Sequence, residues 1–369
     1  MLNRVTLQGF RAFRDVTLEL GRVNVLIGPN GAGKSSLVDF LDMLAFLSTG
    51  ALQRWVATHG RSASLLHFGP KHTSECRWEL AVGTDTGVAS YGATLAPTHD
   101  ERLVLAHERI AWQRAGATEE AHEVGSPWAQ ESGLAAAAAA GDVTAKTILW
   151  QLQRYKVFHF HDTSPTSAMR SSSRVGDGRY LRSDGGNLAA VLARLKRDRR
   201  RHYERIVTQL RRVVPALDDF LFPDELDDAA TVNLSWRHRH HAGDYALGAH
   251  QLSDGSLRAI ALVTLVLLPD DERPRLVVLD EPELGLHPVA TGLLSSLIRA
   301  ASHTTQFVLA TQSGTFLDEF DADQIVVVES KDGASVLRRP DPVEMERRRR
   351  DFDDSFSEQW AMNMVGGRP

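Results

Sequence analysis

The sequence predicts an α/β fold in which a mixed sheet with flanking helices forms two lobes, joined by a mainly helical insertion. The apolar run Val23–Ile27 leads through a glycine-rich loop into a segment with helical periodicity from Ser36. Residues 276–279 and 307–310 are continuous apolar runs, typical of strands buried on both faces of a parallel sheet. With 369 residues and 43% hydrophobic content, the chain can bury the core of one or two domains.

The first lobe is expected to span residues 1–96. Residues 4–20 alternate like two short strands around the turn 9–14 and lead directly into the glycine-rich loop. After the loop helix, further strands are expected at 65–69, 75–82 and 88–95.

The insertion is expected to span residues 97–229 and to be mainly helical. Its predicted elements are an alanine-rich helix at 135–140, a helix capped by Asp142, a strand at 156–160, a long loop at 161–184, and one helix from Asn187 that Pro215 ends. A second lobe at 230–340 and a C-terminal tail at 341–369 follow.

Residues 28–36, Gly-Pro-Asn-Gly-Ala-Gly-Lys-Ser-Ser, fit the phosphate-binding pattern GxxxxGK[ST] without a gap. Loop N–H groups and the positive end of the following helix would hold phosphate, Lys34 would reach the outer phosphates, and the Ser35 hydroxyl would hold Mg²⁺. A glycine-rich surface turn is the alternative, which the flanking strand and helix disfavour. The expected nucleotide contacts are Asn30, Gly31, Ala32, Gly33, Lys34, Ser35 and Ser36.

Two acids, Asp280 and Glu281, follow the apolar run 276–279. Asp280 could hold Mg²⁺ through its water shell, and Glu281 could orient or deprotonate an attacking water. Alone, such a strand end is often only a solvated turn. Together with the phosphate loop, it predicts Mg²⁺-dependent ATP hydrolysis.

A small polar turn at 251–256 opens an apolar helix. Ser253 could simply cap that helix. The alternative is a second anion site at the helix N-terminus, for the γ-phosphate of an ATP that a partner subunit holds.

In order along the chain, residues 28–35, 252–256, 279–282 and 310–313 resemble the motifs of an ABC-type ATPase head. More narrowly, they resemble the RecF/SMC-like and OLD-like bacterial ATPases. Residues 7–13 are similar to the F-R-x-F turn of that group, and residues 283–288 are similar to its E-x-x-L-H-P segment. Arg11 in the first segment could lie near the nucleotide or be an exposed turn residue.

The resemblance implies a mechanism. Two heads would sandwich two ATP molecules, and Ser253 and Gly255 of one subunit would complete the site built on Lys34 of the other. Segment 283–287 would lie at the dimer seam. Asp280 would take the metal role, and the catalytic residues would be Glu281, Lys34 and Gln312.

Two departures from transporter heads are present. The signature is Leu-Ser-Asp-Gly-Ser, and the position after the last motif strand carries Gln312 where transporters carry histidine. Glutamine can hydrogen-bond phosphate or water but gains no charge near neutral pH, which argues against a transporter subunit. The glutamine that contacts Mg²⁺ between the lobes is not identified, with Gln151 and Gln153 as candidates. No room is expected for coiled-coil arms or for a nuclease domain after Gln312.

Charge and composition constrain the partners. The net charge of −5 means that any nucleic-acid binding needs a local patch. Arginines crowd residues 194–212, and Arg197, Arg201, Arg205 and Arg212 fall roughly on one helical face, a candidate DNA contact whose alternatives are a solvated face or an acidic partner. The single cysteine and the absence of a long apolar run predict a cytoplasmic protein that does not enter the membrane.

Histidines at 159 and 161, and at 238, 240 and 241, are interpreted as structural because their spacing fits no familiar metal site. Three biological outputs remain open: an ATP-gated clamp on DNA as in RecF-like repair, an ATPase subunit that controls a separate nuclease or toxin in anti-phage defence, or an ATP sensor without turnover. Glu281 argues against the last of these.

Overall fold

A computed structural model describes residues 1–114, 119–223, 230–240 and 245–367. The chain divides into two compact units. Unit 1 comprises Met1–Lys156, Arg275–Val278 and Gln306–Pro369, and unit 2 comprises Val157–Pro274 and Leu279–Thr305.

The strands, in chain order, are β1 Leu2–Phe10, β2 Phe13–Glu19, β3 Val23–Ile27, β4 Cys76–Gly83, β5 Gly87–Pro97, β6 Leu103–Arg114, β7 Glu120–Glu123, β8 Tyr155–Phe158, β9 Ser173–Arg174, β10 Leu217–Leu221, β11 Thr231–Val232, β12 Ser235–His238, β13 Leu276–Asp280, β14 Gln306–Thr311, β15 Ile325–Lys331 and β16 Ala334–Arg338.

The helices, in chain order, are α1 Lys34–Leu47, α2 Leu52–Thr58, α3 Arg61–Leu65, α4 Leu134–Ala139, α5 Val143–Leu152, α6 Leu188–Asp198, α7 Arg200–Val213, α8 Asp254–Val266, α9 Pro288–Ala301, α10 Gly314–Leu317, α11 Pro342–Phe352 and α12 Phe356–Ala361. Among the described residues, no helix combines the length and the apolar character that crossing a bilayer requires.

Two six-stranded sheets lie wholly or mostly in unit 1, since the second includes β8 and β13, which both end in unit 2. The first is antiparallel, with strand order β2-β1-β4-β5-β6-β7. The second has the order β16-β15-β3-β14-β13-β8, and its strand β3 pairs in parallel with both β14 and β15. Every residue of β3 and of β14 is buried, as expected for strands covered on both faces. The predicted α/β class with a mixed sheet is confirmed.

Two buried amides fix the start of the central strands. Asn24 is fully buried, and its Nδ2 donates to the carbonyls of Gly21 at 2.9 Å and Phe307 at 3.1 Å. Gln306 Nε2 donates to the carbonyls of Leu2 and Gly21, both at 2.8 Å. Because these bonds satisfy buried carbonyls, they favour one register, in which Thr311 of β14 lies opposite Ile27 of β3.

Unit 2 is mainly helical and contains two small two-stranded sheets, β10–β12 and β9–β11. Helix α8 is buried at every position from Leu257 to Val266. Because one helix face alone cannot explain this burial, α8 is surrounded by protein on all sides, which agrees with its nearly unbroken apolar sequence.

Within the insertion, residues 97–133 include β6 and β7, which the sequence did not indicate. Two expectations about local structure are wrong. Residues 65–69 are not a strand, since α3 ends at Leu65 and only Leu66 makes an isolated bridge to Phe10. The single helix expected from Asn187 is two helices, α6 and α7, separated at Arg199.

No glycine or proline marks the break at Arg199 in the sequence, so the helical periodicity continues through it. Asn187 precedes α6, but its side chain makes no cap bond to the helix. It is fully buried, and its Nδ2 donates to the carbonyls of Asp177 and Tyr180 instead. The amide therefore stabilises the preceding loop.

We predict that Asn24→Leu lowers the free energy of unfolding by roughly 2–4 kcal/mol, because it leaves buried carbonyls without donors. Urea denaturation followed by circular dichroism measures this loss. The exposed Asn233 provides the matched control, and Asn233→Leu should change the free energy by less than about 0.5 kcal/mol. Equal effects of the two substitutions would contradict the role given to Asn24.

Candidate active site

The predicted phosphate loop lies in unit 1 between β3 and α1. Helix α1 begins after Gly33, which has a φ of 107°, and no side chain caps it and no acidic residue occupies its first turn. Gly31 also has a positive φ, of 75°. A 14-residue helix whose N-terminus lacks both a side-chain cap and a negative charge is suited to bind an anion.

The hairpin formed by β15 and β16 supports this loop. A Cβ atom on Gly28 would lie 2.1 Å from the Val328 carbonyl oxygen, and one on Gly33 would lie 2.1 Å from Ser335 Oγ. Ser335 Oγ donates to the Ala32 carbonyl at 2.6 Å. Only glycine at 28 and 33 therefore permits this close approach of the hairpin to the loop.

Lys34 is 6% exposed, and its Nζ donates to the carbonyls of Gly28 at 2.7 Å and Pro29 at 2.9 Å. The ammonium group is thus held within the loop that would surround the phosphates. Ser35 is exposed, whereas Ser36 is 9% exposed. Asn30 and Gly31 are exposed at the tip of the loop, and Ala32 is buried.

Arg11 lies in the turn between β1 and β2, against α1. Its backbone has a φ of 47°, and its guanidinium forms an ion pair with Asp39 of α1 at 3.1 Å. Arg11 Nε is buried and has no hydrogen-bond partner among the described residues. The residue is therefore fixed beside the helix that begins at the phosphate loop, and it is not a freely exposed turn arginine.

Gln312 follows β14 directly and is exposed. Because Thr311 pairs with Ile27 in parallel register, Gln312 lies level with Gly28, the first residue of the phosphate loop. The register of the central strands therefore brings Gln312 beside this loop within unit 1.

The acidic pair lies in unit 2 at the end of β13, and both carboxylates are partly buried. Glu281 has a φ of 42°, in the left-handed region that non-glycine residues seldom adopt. Such a backbone costs about 1–3 kcal/mol, and outliers of this kind cluster at active sites. Both residues line a small cavity with Phe158, Phe160, His161, Arg258, Leu262, Leu279 and Pro282.

Arg258 of α8 connects the segments of unit 2 that lie beside the acidic pair and the segment 283–287. It was not among the site residues predicted from the sequence. It is 7% exposed and donates to the carbonyls of Phe160 and His161, each at 2.9 Å, and of Leu284. Burial lowers the pKa of this guanidinium, and the negative charges of Asp254 and Glu281 act in the opposite direction. In the sequence, the feature that could have indicated this role is the position of Arg258 as a charged residue within an apolar helix.

The signature turn is also fixed by a buried arginine. Ser253 caps α8, accepting from the Ser256 N–H at 3.2 Å, so the capping interpretation of this serine is realised in the structure. Arg170 donates to the Leu252 carbonyl at 3.2 Å and to Asp254 Oδ1 at 2.9 Å. Its side chain is only 6% exposed. The long loop 161–184 therefore holds the signature turn in place through Arg170, a role that its polar composition did not indicate.

Gly255 allows the signature turn to approach the segment 283–287. A Cβ atom on Gly255 would lie 2.4 Å from the Gly285 carbonyl oxygen. Together with the Arg258 bond to Leu284, this contact joins the turn and the segment within unit 2.

The predicted site residues divide between the units. Asn30 to Ser36 and Gln312 lie in unit 1, and Ser253, Gly255, Asp280 and Glu281 lie in unit 2. Both candidate glutamines lie in unit 1, where Gln151 belongs to α5 and Gln153 Nε2 donates to the Ser48 carbonyl at 3.4 Å.

The candidate DNA stripe is interrupted, because Arg197 belongs to α6 whereas Arg201, Arg205 and Arg212 belong to α7. Six of the nine basic side chains between 194 and 212 form ion pairs, namely Arg194 with Glu272, Lys196 with Asp219, Arg197 with Asp198, Arg199 with Asp271, Arg200 with Glu204, and Arg211 with Asp218. The expectation that these four arginines lie on one helix is therefore wrong.

Within the described ranges, no group of three or more His, Cys, Asp or Glu side chains is arranged to hold a metal ion. His241 lies outside the described residues.

Two family models of ATPases match parts of the chain. Residues 152–318 match a family model described as "AAA domain, putative AbiEii toxin, Type IV TA system", and residues 1–55 match one described as "AAA ATPase domain". No curated protein matches the chain significantly.

Solved structures of SMC heads share the fold. One is an Smc head bound to the C-winged helix domain of ScpA, with 15% identity, a TM-score of 0.61, and coverage of 91% of this chain and 97% of that one. Another, from Pyrococcus furiosus, is an Smc head domain with an extended coiled coil, bound to the C-terminal domain of ScpA. It has 13% identity, a TM-score of 0.58, and coverage of 95% and 99%.

The phosphate loop and the family matches define the chain as a P-loop ATPase. Its fold is that of an SMC head, which confirms the fold implied by the resemblance to RecF/SMC-like ABC-type ATPases.

We predict that Arg258→Ala lowers the ATPase rate at least tenfold, because three carbonyls around the acidic pair lose their donor. Steady-state phosphate release measures the rate, and the thermal midpoint shows whether the variant remains folded. Arg239→Ala, at an exposed position of unit 2, is the control and should keep the parental rate. An unchanged rate in a folded Arg258→Ala protein would contradict this role.

Proposed function

We propose that the chain hydrolyses ATP with Mg²⁺ as a homodimer in which two copies enclose two nucleotides. Loop N–H groups and Lys34 hold the phosphates, and Gln312 hydrogen-bonds the attacking water or the γ-phosphate. Glu281 accepts the proton of that water. Ser253 and Gly255 of the second copy contact the γ-phosphate.

One feature of unit 2 supports the dimer most directly. The signature turn and the segment 283–287 form a continuous surface, joined by the Gly255–Gly285 approach and by Arg258. This surface exposes Leu284, which is 47% accessible, and Val289, two residues beyond the segment at the start of α9, is 58% accessible. Apolar side chains beside a helix N-terminus suit a surface that closes on another copy and its bound anion.

The donor groups fit a hard divalent cation. The exposed Ser35 hydroxyl and the Asp280 carboxylate are both oxygen ligands, which Mg²⁺ prefers. Bound Mg²⁺ would neutralise charge on the phosphates, while Ser35 and Asp280 would hold the ion.

We predict that Glu281→Gln retains ATP binding but lowers hydrolysis at least a hundredfold, because the amide cannot accept the proton of the attacking water. An ATP-bound dimer should then accumulate, measured by size-exclusion chromatography with light scattering. The double variant Lys34→Ala/Glu281→Gln is the control and should stay monomeric, since it lacks the phosphate-binding ammonium. A Glu281→Gln protein that stays monomeric with ATP and Mg²⁺ would refute the sandwich.

For the biological output, the structure and the comparisons favour control of a separate protein effector over a DNA clamp. The matching family model carries a toxin–antitoxin description, and the Smc heads in the similar structures are bound to a protein domain. Most basic side chains of α6 and α7 are already neutralised by ion pairs. These observations support a role as the ATPase subunit of an anti-phage system.

A DNA contact is the second candidate, since Arg201, Arg205 and Arg212 are exposed on α7 and have no carboxylate partner among the described residues. The triple variant Arg201→Glu/Arg205→Glu/Arg212→Glu should then lose any stimulation of turnover by duplex DNA, while basal turnover stays within about twofold. Reversal of Arg347, Arg349 and Arg350 on α11 is the matched control. Equal stimulation of the parent and the triple variant, or no stimulation of the parent, would remove the DNA candidate.

A further inference from the structure

Phe68 is an exposed aromatic residue in a strained backbone conformation. It is 66% exposed and has a φ of 57°, which is a genuine outlier for a bulky side chain. Conformations of this kind persist only where the surrounding structure determines them, and they cluster at binding sites.

Hydrogen bonds from unit 1 impose this conformation. The N–H of His67 donates to the Gly9 carbonyl at 3.0 Å, and His67 Nδ1 lies 2.7 Å from the Arg11 carbonyl oxygen. The N–H of Gly69 donates to the Leu66 carbonyl at 2.9 Å. The segment 65–69 is therefore fixed on the turn that contains Arg11 immediately before Phe68, and the bond from Gly69 closes a local turn around Phe68.

Phe68 also lies against the hairpin of β15 and β16, which supports the phosphate loop. A Cβ atom on Gly333 would lie 3.2 Å from Phe68 Cζ. Two residues further along the hairpin, Ser335 donates to the Ala32 carbonyl of the loop. Because two residues of chain span at most about 7 Å, the Phe68 ring and the phosphate loop contact neighbouring parts of one hairpin.

The ring also has aromatic neighbours that leave it accessible. His67 lies with its ring centroid 4.3 Å from that of Phe68, and His72 makes an edge contact at 6.4 Å. His67 is buried beneath this surface, whereas His72 is exposed. The arrangement is a rigid aromatic surface, open on one side, beside a phosphate site.

We propose that Phe68 is the platform on which the base of the bound nucleotide stacks. The inference rests on the ATPase activity, since it assigns the base of the nucleotide whose phosphates occupy the loop at Gly28 to Ser36. Stacking on an aromatic ring needs no hydrogen-bond pattern, because every base presents a π face. Burial of an exposed ring under a base also gains from the hydrophobic effect.

The test compares ADP with inorganic pyrophosphate, both with Mg²⁺, by isothermal titration calorimetry. Neither ligand has a γ-phosphate with which to close the proposed sandwich, so the measurement is independent of dimerisation. Phe68→Ala should weaken ADP binding by about 5- to 100-fold and leave pyrophosphate binding within about twofold. Phe68→Trp should retain ADP affinity, and its added indole emission should respond to ADP and not to pyrophosphate.

Trp128→Ala is the matched control. Trp128 is also in unit 1, is 64% exposed and has a φ of 65°, so its substitution likewise removes an exposed aromatic ring and leaves alanine at a positive φ. This variant should bind both ligands like the parent. Unchanged ADP affinity in Phe68→Ala, or an equal loss for ADP and pyrophosphate, would overturn the platform. A parent that binds neither ligand would overturn the ATPase assignment as well, whereas the sandwich is judged separately by Glu281→Gln.

Discussion

The buried parallel pairing around β3 is the constraint on which the phosphate site depends. This strand leads directly into the loop, and its register with β14 sets Gln312 level with Gly28. Its other neighbour, β15, continues into the hairpin whose Ser335 bonds the loop at Ala32. Because Asn24 and Gln306 donate to buried carbonyls at the start of these strands, a register shift would break buried hydrogen bonds and move Gln312 away from Gly28.

Buried arginines organise unit 2 in a similar way. Arg258 and Arg170 each donate to several carbonyls from segments that are distant in sequence, and both approach the signature turn. A guanidinium presents five donors in a fixed plane, so one side chain can connect three chain segments without apolar packing between them. This explains how irregular segments such as 161–184 and 283–287 hold a defined position on a mainly helical unit.

Patterns with a local physical cause were predictable from the sequence. The phosphate loop, its flanking β3 and α1, and the apolar runs at 276–279 and 307–310 follow from spacing and hydrophobicity, and the structure contains them. The break at Arg199 was not predictable, because the amphipathic period continues through it without glycine or proline. The roles of Arg258 and Phe68 depend on long-range contacts, which a single sequence does not encode in any short pattern.

The left-handed backbone at Glu281 has a consequence for how this protein can change. A glycine there would relieve the strain and stabilise the fold, but it would remove the carboxylate proposed to activate water. Stability therefore favours glycine at this position, whereas turnover requires the glutamate. A related protein that has lost catalysis and serves only as a nucleotide-bound scaffold could carry glycine at this position. The residue at this position would therefore distinguish a catalytic protein from a scaffold.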